Sequence, residues 1–246
     1  MDIYGDFAQV YDRFIDAPYD EWAAYIKRIW EKFNLAPKLV CDLGCGTGSI
    51  TCRLAALGYD TIGIDLSADM LAIARQKDQK TLYLQQDMRS FELYGTVDAC
   101  ICMVDSINYI LCEDELSEVF GLVHNYLHPG GLFIFDINTL HKFKHVLGDN
   151  SFCDIDDETA IIWENYYDED TKINEYFVNI FMPASDGLYE RYEETHRQRA
   201  YEAEFISEKL MSAGFELLGV YDALSFDAPN EKSEKIFFVA KKLPRK

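Results

Sequence analysis

The sequence predicts an α/β protein, and three observations carry that prediction. A short apolar run, Lys38-Leu39-Val40-Cys41, enters a glycine-rich turn, Asp42-Leu43-Gly44-Cys45-Gly46-Thr47-Gly48. An amphipathic pattern from Ile50 to Leu57 leaves it, so the stretch reads as strand, turn, helix. Apolar runs of strand length then recur at 59–65, 81–86, 97–103 and 132–136, with helical patterns between them. The run 97–103 is apolar enough for a parallel strand buried on both faces. With 246 residues, 49% of them apolar, the chain suits one domain over 1–246 that carries a sizeable insert.

The N-terminal 1–36 reads as helical. Phe7, Tyr11 and Phe14 stand at helical spacing within 3–16. Trp22, Tyr25, Ile26, Ile29, Trp30 and Phe33 mark a second amphipathic helix, ended by Asn34 and Pro37. In the turn that follows, Gly44, Gly46 and Gly48 let the backbone bend sharply and leave room where a Cβ would block a ligand. The helix beginning near Gly48 points free N–H groups and a positive dipole end back over the strand, which suits a phosphate or a carboxylate. The second strand, 59–65, ends in Asp65, an acid placed to accept both ribose hydroxyls of an adenosine nucleoside. Ser67 is an N-cap for the helix through Met70, Leu71 and Ala74. The third strand, 81–86, runs into Asp87 and Met88.

Ligands of open α/β sheets sit outside the carboxyl ends of the strands. Position therefore nominates Val104, Asp105, Ser106, Asn108 and Tyr109 after the fourth strand, although Ser106 and Asn108 also suit loop backbone groups. Glu113-Asp114-Glu115 start a helix whose stripe is Leu116, Val119, Phe120, Val123 and Leu127. Asp136, Asn138, Thr139 and His141 follow the fifth strand and are the next candidates to face a substrate. His124 and His128, spaced i, i+4, have no further ligands nearby and read as a solvated helix end, so no metal site is expected.

Residues 150–200 change character. Alternation predicts three antiparallel strands, 159–167, 173–182 and 188–199, with turns at 168–171 and 183–187. Trp163, Tyr167, Tyr176, Tyr192 and His196 could line a pocket beneath such a sheet; the alternatives are a dimer interface or the insert's own core. A helix over 202–213 and strands at 215–221 and 236–240 complete the chain.

A net charge of −20 repels a phosphate backbone and counts against nucleic acid as substrate, although Arg191, Arg197 and Arg199 cluster in sequence. No run approaches the roughly 20 apolar residues of a membrane span, and the acidic start lacks a signal-type core. Seven cysteines without a C-x-x-C pair read as reduced thiols in a cytoplasmic protein. As to partners, a monomer or a homodimer is expected, without a sequence feature that chooses between them.

The string Asp42-Leu43-Gly44-Cys45-Gly46-Thr47-Gly48, the run from Ile64 to Ala74 and the terminal Phe237-Phe238-Val239-Ala240 resemble the class I S-adenosylmethionine-dependent methyltransferases. The resemblance implies a Rossmann-like, mostly parallel seven-stranded sheet with helices on both faces and an antiparallel last strand. It implies S-adenosylmethionine as cofactor, with contacts from Tyr11, Asp42, Gly44, Cys45, Gly46, Gly48, Asp65, Leu66, Met70, Asp87, Met88, Met103 and Asp105. The N-terminal segment, with Tyr4, Phe7 and Tyr11, would cover the site, and the 150–200 insert would roof a substrate pocket. Substrate contacts are then expected from Asn108, Tyr109, Asn138, Trp163, Tyr192 and His196. In-line methyl transfer needs alignment above all. A general base is needed only for a protonated acceptor, and His196, His141 and Asp136 are the candidates. The acidic, aromatic character suits a cationic or neutral small-molecule acceptor such as an amine. An NAD(P)-dependent oxidoreductase is the alternative, opposed by Ser49 in place of the third glycine of G-x-G-x-x-G. Methyl transfer to RNA or protein is a further one.

Overall fold

The computed structural model describes residues 8–14, 17–156 and 158–243. Its frame is a seven-stranded sheet built from β1 (Leu39–Leu43), β2 (Asp60–Asp65), β3 (Leu82–Gln85), β4 (Val97–Cys102), β5 (Leu127–Asn138), β10 (Phe215–Asp222) and β11 (Lys235–Lys242). The strand order is β10-β11-β5-β4-β1-β2-β3, and β11 runs antiparallel to both its neighbours while the other pairs are parallel. This is the mostly parallel α/β sheet with a reversed last strand that the sequence predicts. The order reverses between β1 and β4, so the loops after these two strands open a crevice at the switch point.

Alternation along the central strands feeds two apolar layers. On one face Cys41, Cys100, Cys102, Phe133 and Phe135 pack with α5 (Glu113–Tyr126) and α6 (Ala203–Ser212). On the other, Val40, Ala99, Ile101 and Ile134 pack with α2 (Tyr19–Lys32) and α3 (Ser49–Ala56). The near-continuous apolar runs are thus covered on both sides, as parallel strands require. All seven cysteines are free thiols, and burial pushes those of Cys45, Cys100 and Cys102 well up, which keeps them inert.

The N-terminal helix α1 spans Ala8–Phe14; Tyr4 and Phe7 lie outside the described residues. Between β5 and α6 lies a second, antiparallel sheet of four strands, β6 (Ser151–Ile155), β7 (Ala160–Asp168), β8 (Ile173–Pro183) and β9 (Tyr189–Arg199), in that order. Three of them match the predicted ones. The fourth, β6, is an addition: a short, exposed edge strand whose sequence, Ser-Phe-Cys-Asp-Ile, shows little apolar alternation. Ile161, Val178 and Ile180 form the inner core of this sheet, with Tyr11 and Phe14 of α1 packed against it. Phe177 faces the other way and is exposed. Among the described residues, no helix is long and apolar enough to cross a membrane.

Candidate active site

The glycine loop closes β1 and opens α3. Gly44, Gly46 and Gly48 all take positive φ, at 68°, 54° and 73°. The Gly44 and Cys45 N–H groups donate to the Ile64 carbonyl at 2.7 and 3.0 Å, pinning the loop to β2. A Cβ on Gly44 would meet the Ser106 Oγ at 2.7 Å, and one on Gly48 the Tyr83 hydroxyl at 2.7 Å. A Cβ on Gly46 would meet nothing within 4 Å. Two glycines are therefore fixed by packing, whereas Gly46 faces an open cradle of the kind a bound cofactor fills.

Carboxylates surround that cradle. Asp65 accepts from the Gly46 N–H at 2.8 Å and the Ser67 N–H at 2.9 Å. Burial pushes its carboxyl above the usual range, with these N–H groups pulling it back. Beneath the loop, Asp42 is buried and accepts from the Thr51 hydroxyl at 2.5 Å. Burial drives its carboxyl up to about 7, with Thr51 opposing and Asp65 adding to the shift. Asp42 thus braces α3 against β1 from below. At the far end Asp87 is gripped by Arg89, whose Nη2 donates at 2.6 Å, while Arg89 also reaches Glu115. Leu66 is 56% exposed, an apolar surface beside the cradle, whereas Met70 and Met103 are buried. Met88 reaches to 3.4 Å from where a Gly44 Cβ would stand.

Across the crevice, Val104 and Asp105 hold consecutive left-handed conformations, φ 59° and 51°. A β-branched residue is strained there, and such strain persists only where its surroundings fix it. The fixing groups are on hand. The Asp105 N–H donates to Asp136 at 2.9 Å, and Lys235 bridges Asp105 at 2.7 Å and Asp136 at 2.6 Å. Gln198 of β9 donates to the other Asp105 oxygen at 2.7 Å. Burial pushes the Asp105 carboxyl up, but Lys235 and Lys142 hold it below the usual range. Burial disfavours charge on Lys235, yet the two carboxylates keep it firmly protonated. Asp136 is fully buried; its Oδ2 holds Lys235 and the Asp105 N–H at the turn after β4, while its Oδ1 has no hydrogen-bond partner.

Asn108 differs in the same way from a substrate-facing group. It is fully buried, donates to the Arg199 carbonyl at 2.8 Å and the Asn138 carbonyl at 3.3 Å, and accepts from the Asn138 N–H at 2.9 Å. It ties β5 and β9 to the turn after β4. Asn138 is itself buried, its side chain receiving Lys142 at 3.1 Å. His141 lines a surface cleft with Lys144, His145 and Tyr201, and none of the glycine-loop residues lines that cleft.

The remaining residues meet under the insert. Tyr109 stands edge-on to His196 at 6.2 Å. Tyr176 donates to Gln198 at 2.7 Å, and Trp163 and Tyr192 share its inner face. Tyr11 comes close to Tyr19, Asp105, Tyr109 and Asp12; burial above all keeps its phenol neutral. Asp12, one residue on, accepts from Thr47 at 2.7 Å and Ser49 at 3.0 Å and pairs with Lys77 at 2.5 Å. It latches α1 across the glycine loop at the positive end of α3. Asp12, Gln198 and Lys235 are contributors that the sequence alone does not reveal. Lys235 gives one signal, a lone cation entering a buried strand. The others show only in three dimensions.

Comparison with known proteins agrees with this architecture. Residues 40–131 match the model of the methyltransferase domain family. A Geobacillus sp. (strain WCH70) protein named "Putative methyltransferase" is 36% identical over 245 residues, covering 97% of this chain and 99% of that one. The structure of an S-adenosylmethionine-dependent methyltransferase from Clostridium acetobutylicum superposes with a TM-score of 0.89 at 33% identity, covering 98% of this chain and 99% of that chain. A Streptomyces venezuelae dTDP-3-amino-3,4,6-trideoxy-alpha-D-glucopyranose N,N-dimethyltransferase is 31% identical over 132 residues, covering 52% of this chain and 56% of that protein. The chain belongs to the S-adenosylmethionine-dependent methyltransferases.

Proposed function

We propose that this methyltransferase acts on a small cytoplasmic molecule bound between α1, the turn after β4 and the inner face of the insert. The observation that carries the proposal is the double roof. Asp12 latches α1 over the glycine loop, and Gln198 ties the insert to Asp105. A crevice closed from both sides suits a small acceptor better than a polymer. The three arginines clustered in sequence, the natural contacts for RNA, are engaged with acids: Arg191 with Glu193, Arg197 with Glu175 and Arg199 with Glu113. The Streptomyces venezuelae relative, an aminosugar N,N-dimethyltransferase, supports a small acceptor. Seven free thiols support a reducing compartment.

In this reading the Gly44–Gly48 backbone and Asp65 hold the cofactor, with Leu66, Asp87 and Met88 around its nucleoside end. When bound, S-adenosylmethionine supplies an electrophilic methyl group, transferred in line to the acceptor's lone pair. The chain's task is alignment and exclusion of water, which Tyr11, Tyr19 and Tyr109 serve as aromatic walls. The test is S-adenosylhomocysteine formation with a panel of small amines and nucleotide-linked aminosugars, beside total RNA. Turnover confined to small molecules is expected; turnover on RNA alone overturns the proposal.

A further inference from the structure

The turn after β3 holds an arginine that the transfer itself does not use. β3 lies beside β2 with Gln85 in register with Asp65. The Gln86 N–H donates to the Asp65 carbonyl at 3.0 Å, and the Gln85 amide to the Leu66 carbonyl at 3.2 Å. Asp87 therefore stands one strand spacing, about 5 Å, beyond the Asp65 end of the cradle. A nucleoside with its ribose on Asp65 reaches that far with the outer edge of its base. Met88 leans from the same turn toward Gly44, so the turn borders the cradle.

Arg89 brings three N–H groups to the Asp87 carboxylate. Its backbone N–H and its Nε donate to Oδ1 at 2.9 Å each, and its Nη2 donates to Oδ2 at 2.6 Å. Its Nη1 donates to Glu115 of α5 at 2.9 Å, which fixes the guanidinium from the far side. The Asp87 side chain is 25% exposed, and the Arg89 hydrogen bond holds its carboxyl below the usual range against the opposing pull of burial. An ionised carboxylate only accepts, and its two oxygens offer about four acceptor sites, more than Arg89 fills. Such a group takes the exocyclic amino group of a purine and repels an oxo group in the same place. We propose that Arg89 is the positioning residue for cofactor choice: it aims the Asp87 carboxylate so that the nucleoside pocket takes an aminopurine and rejects its oxo counterpart. The proposal rests on the reading above, in which Asp87 stands at the nucleoside end of the cofactor. Arg89 acts through Asp87 and takes no part in the bond exchange itself.

The probes are S-adenosylhomocysteine and S-inosylhomocysteine, which carry an amino and an oxo group at the same purine carbon. Both are titrated calorimetrically into the full-length protein at neutral pH. Wild type should prefer the adenosyl compound about tenfold or more. Arg89→Met should bring the two within about threefold, chiefly by weakening the adenosyl compound. Arg89→Lys keeps the charge without the paired donors and should restore part of the preference. Glu115→Gln cuts the tie to α5 alone and should leave the preference within about twofold of wild type. Unfolding midpoints on the same samples report bracing separately. A lower midpoint with an undiminished preference in Arg89→Met shows an arginine that only braces the turn, and overturns the proposal. A loss of preference in Glu115→Gln equal to that in Arg89→Met overturns it too. A wild type that binds both compounds equally well keeps the methyltransferase site and loses this proposal. One that binds neither loses the methyltransferase site as well.

Discussion

Replacing Asn108 by Leu tests whether this residue braces the site or meets the substrate. The volume is nearly kept, so what is lost is three hydrogen bonds: to the Arg199 carbonyl, to the Asn138 carbonyl and from the Asn138 N–H. A buried N–H left without a partner costs about 1–3 kcal/mol, and each deprived carbonyl about 1 kcal/mol because its second lone pair can be used elsewhere. The sum is about 3–5 kcal/mol, a large part of an ordinary domain's stability. Urea unfolding followed by circular dichroism should show a lower midpoint with an unchanged slope. Hydrogen exchange should quicken first around Arg199 and Asn138, where β9 and β5 lose their tie. A stability within about 0.5 kcal/mol of wild type, together with a raised acceptor KM, would refute the bracing role and return Asn108 to the substrate.

Three other perturbations follow from the charge placement. Asp42, with its carboxyl driven up to about 7 by burial, binds its proton more tightly folded than unfolded. Its contribution to stability is therefore fully present at low pH and is lost as pH rises from about 4 to about 7. The stability of Asp42→Asn relative to wild type should grow across that window, by a few kcal/mol at most; a flat difference contradicts the burial effect. Lys235→Met leaves Asp105 and Asp136 buried without their cation and should destabilise by about 3–5 kcal/mol at neutral pH, recovering as pH falls and the carboxylates protonate. Equal loss at all pH values would show that packing of the lysine stem matters more than its charge. Asp12→Ala removes the latch on Thr47, Ser49 and Lys77, a partly exposed set worth about 1 kcal/mol. Release of S-adenosylhomocysteine in stopped flow should quicken about fivefold, with little change in unfolding midpoint; an unchanged release rate argues against a latch.

The legible parts of the site are those that local sequence carries. Gly44, Gly46 and Gly48, the acid at the end of β2 and the apolar run of β4 all signal through turn chemistry and strand periodicity, and they fall where expected. The reversed β11 follows from the family resemblance. The roles of individual polar residues are harder to read, because they depend on partners far along the chain. Asp136 and Asn108 stand at strand ends, where ligands bind, yet Lys235 and Arg199, brought in by β11 and β9, turn both inward. Edge strand β6 lacks the alternation that betrays a strand, since both its faces are wet.

Everything proposed for the site depends on S-adenosylmethionine binding over Gly46. Calorimetric titration of wild type and Gly46→Val with S-adenosylmethionine, and in parallel with NADH, tests it most directly. A Cβ added at Gly46 would project into space now open, but the φ of 54° strains valine there, so the unfolding midpoint is measured on the same samples, and a folded variant carries its added methyls in the cofactor's place. Saturable one-to-one binding of S-adenosylmethionine by the wild type, none of NADH, and a loss of about a hundredfold or more in the variant are expected. Undiminished binding by Gly46→Val would place the cofactor elsewhere and contradict it.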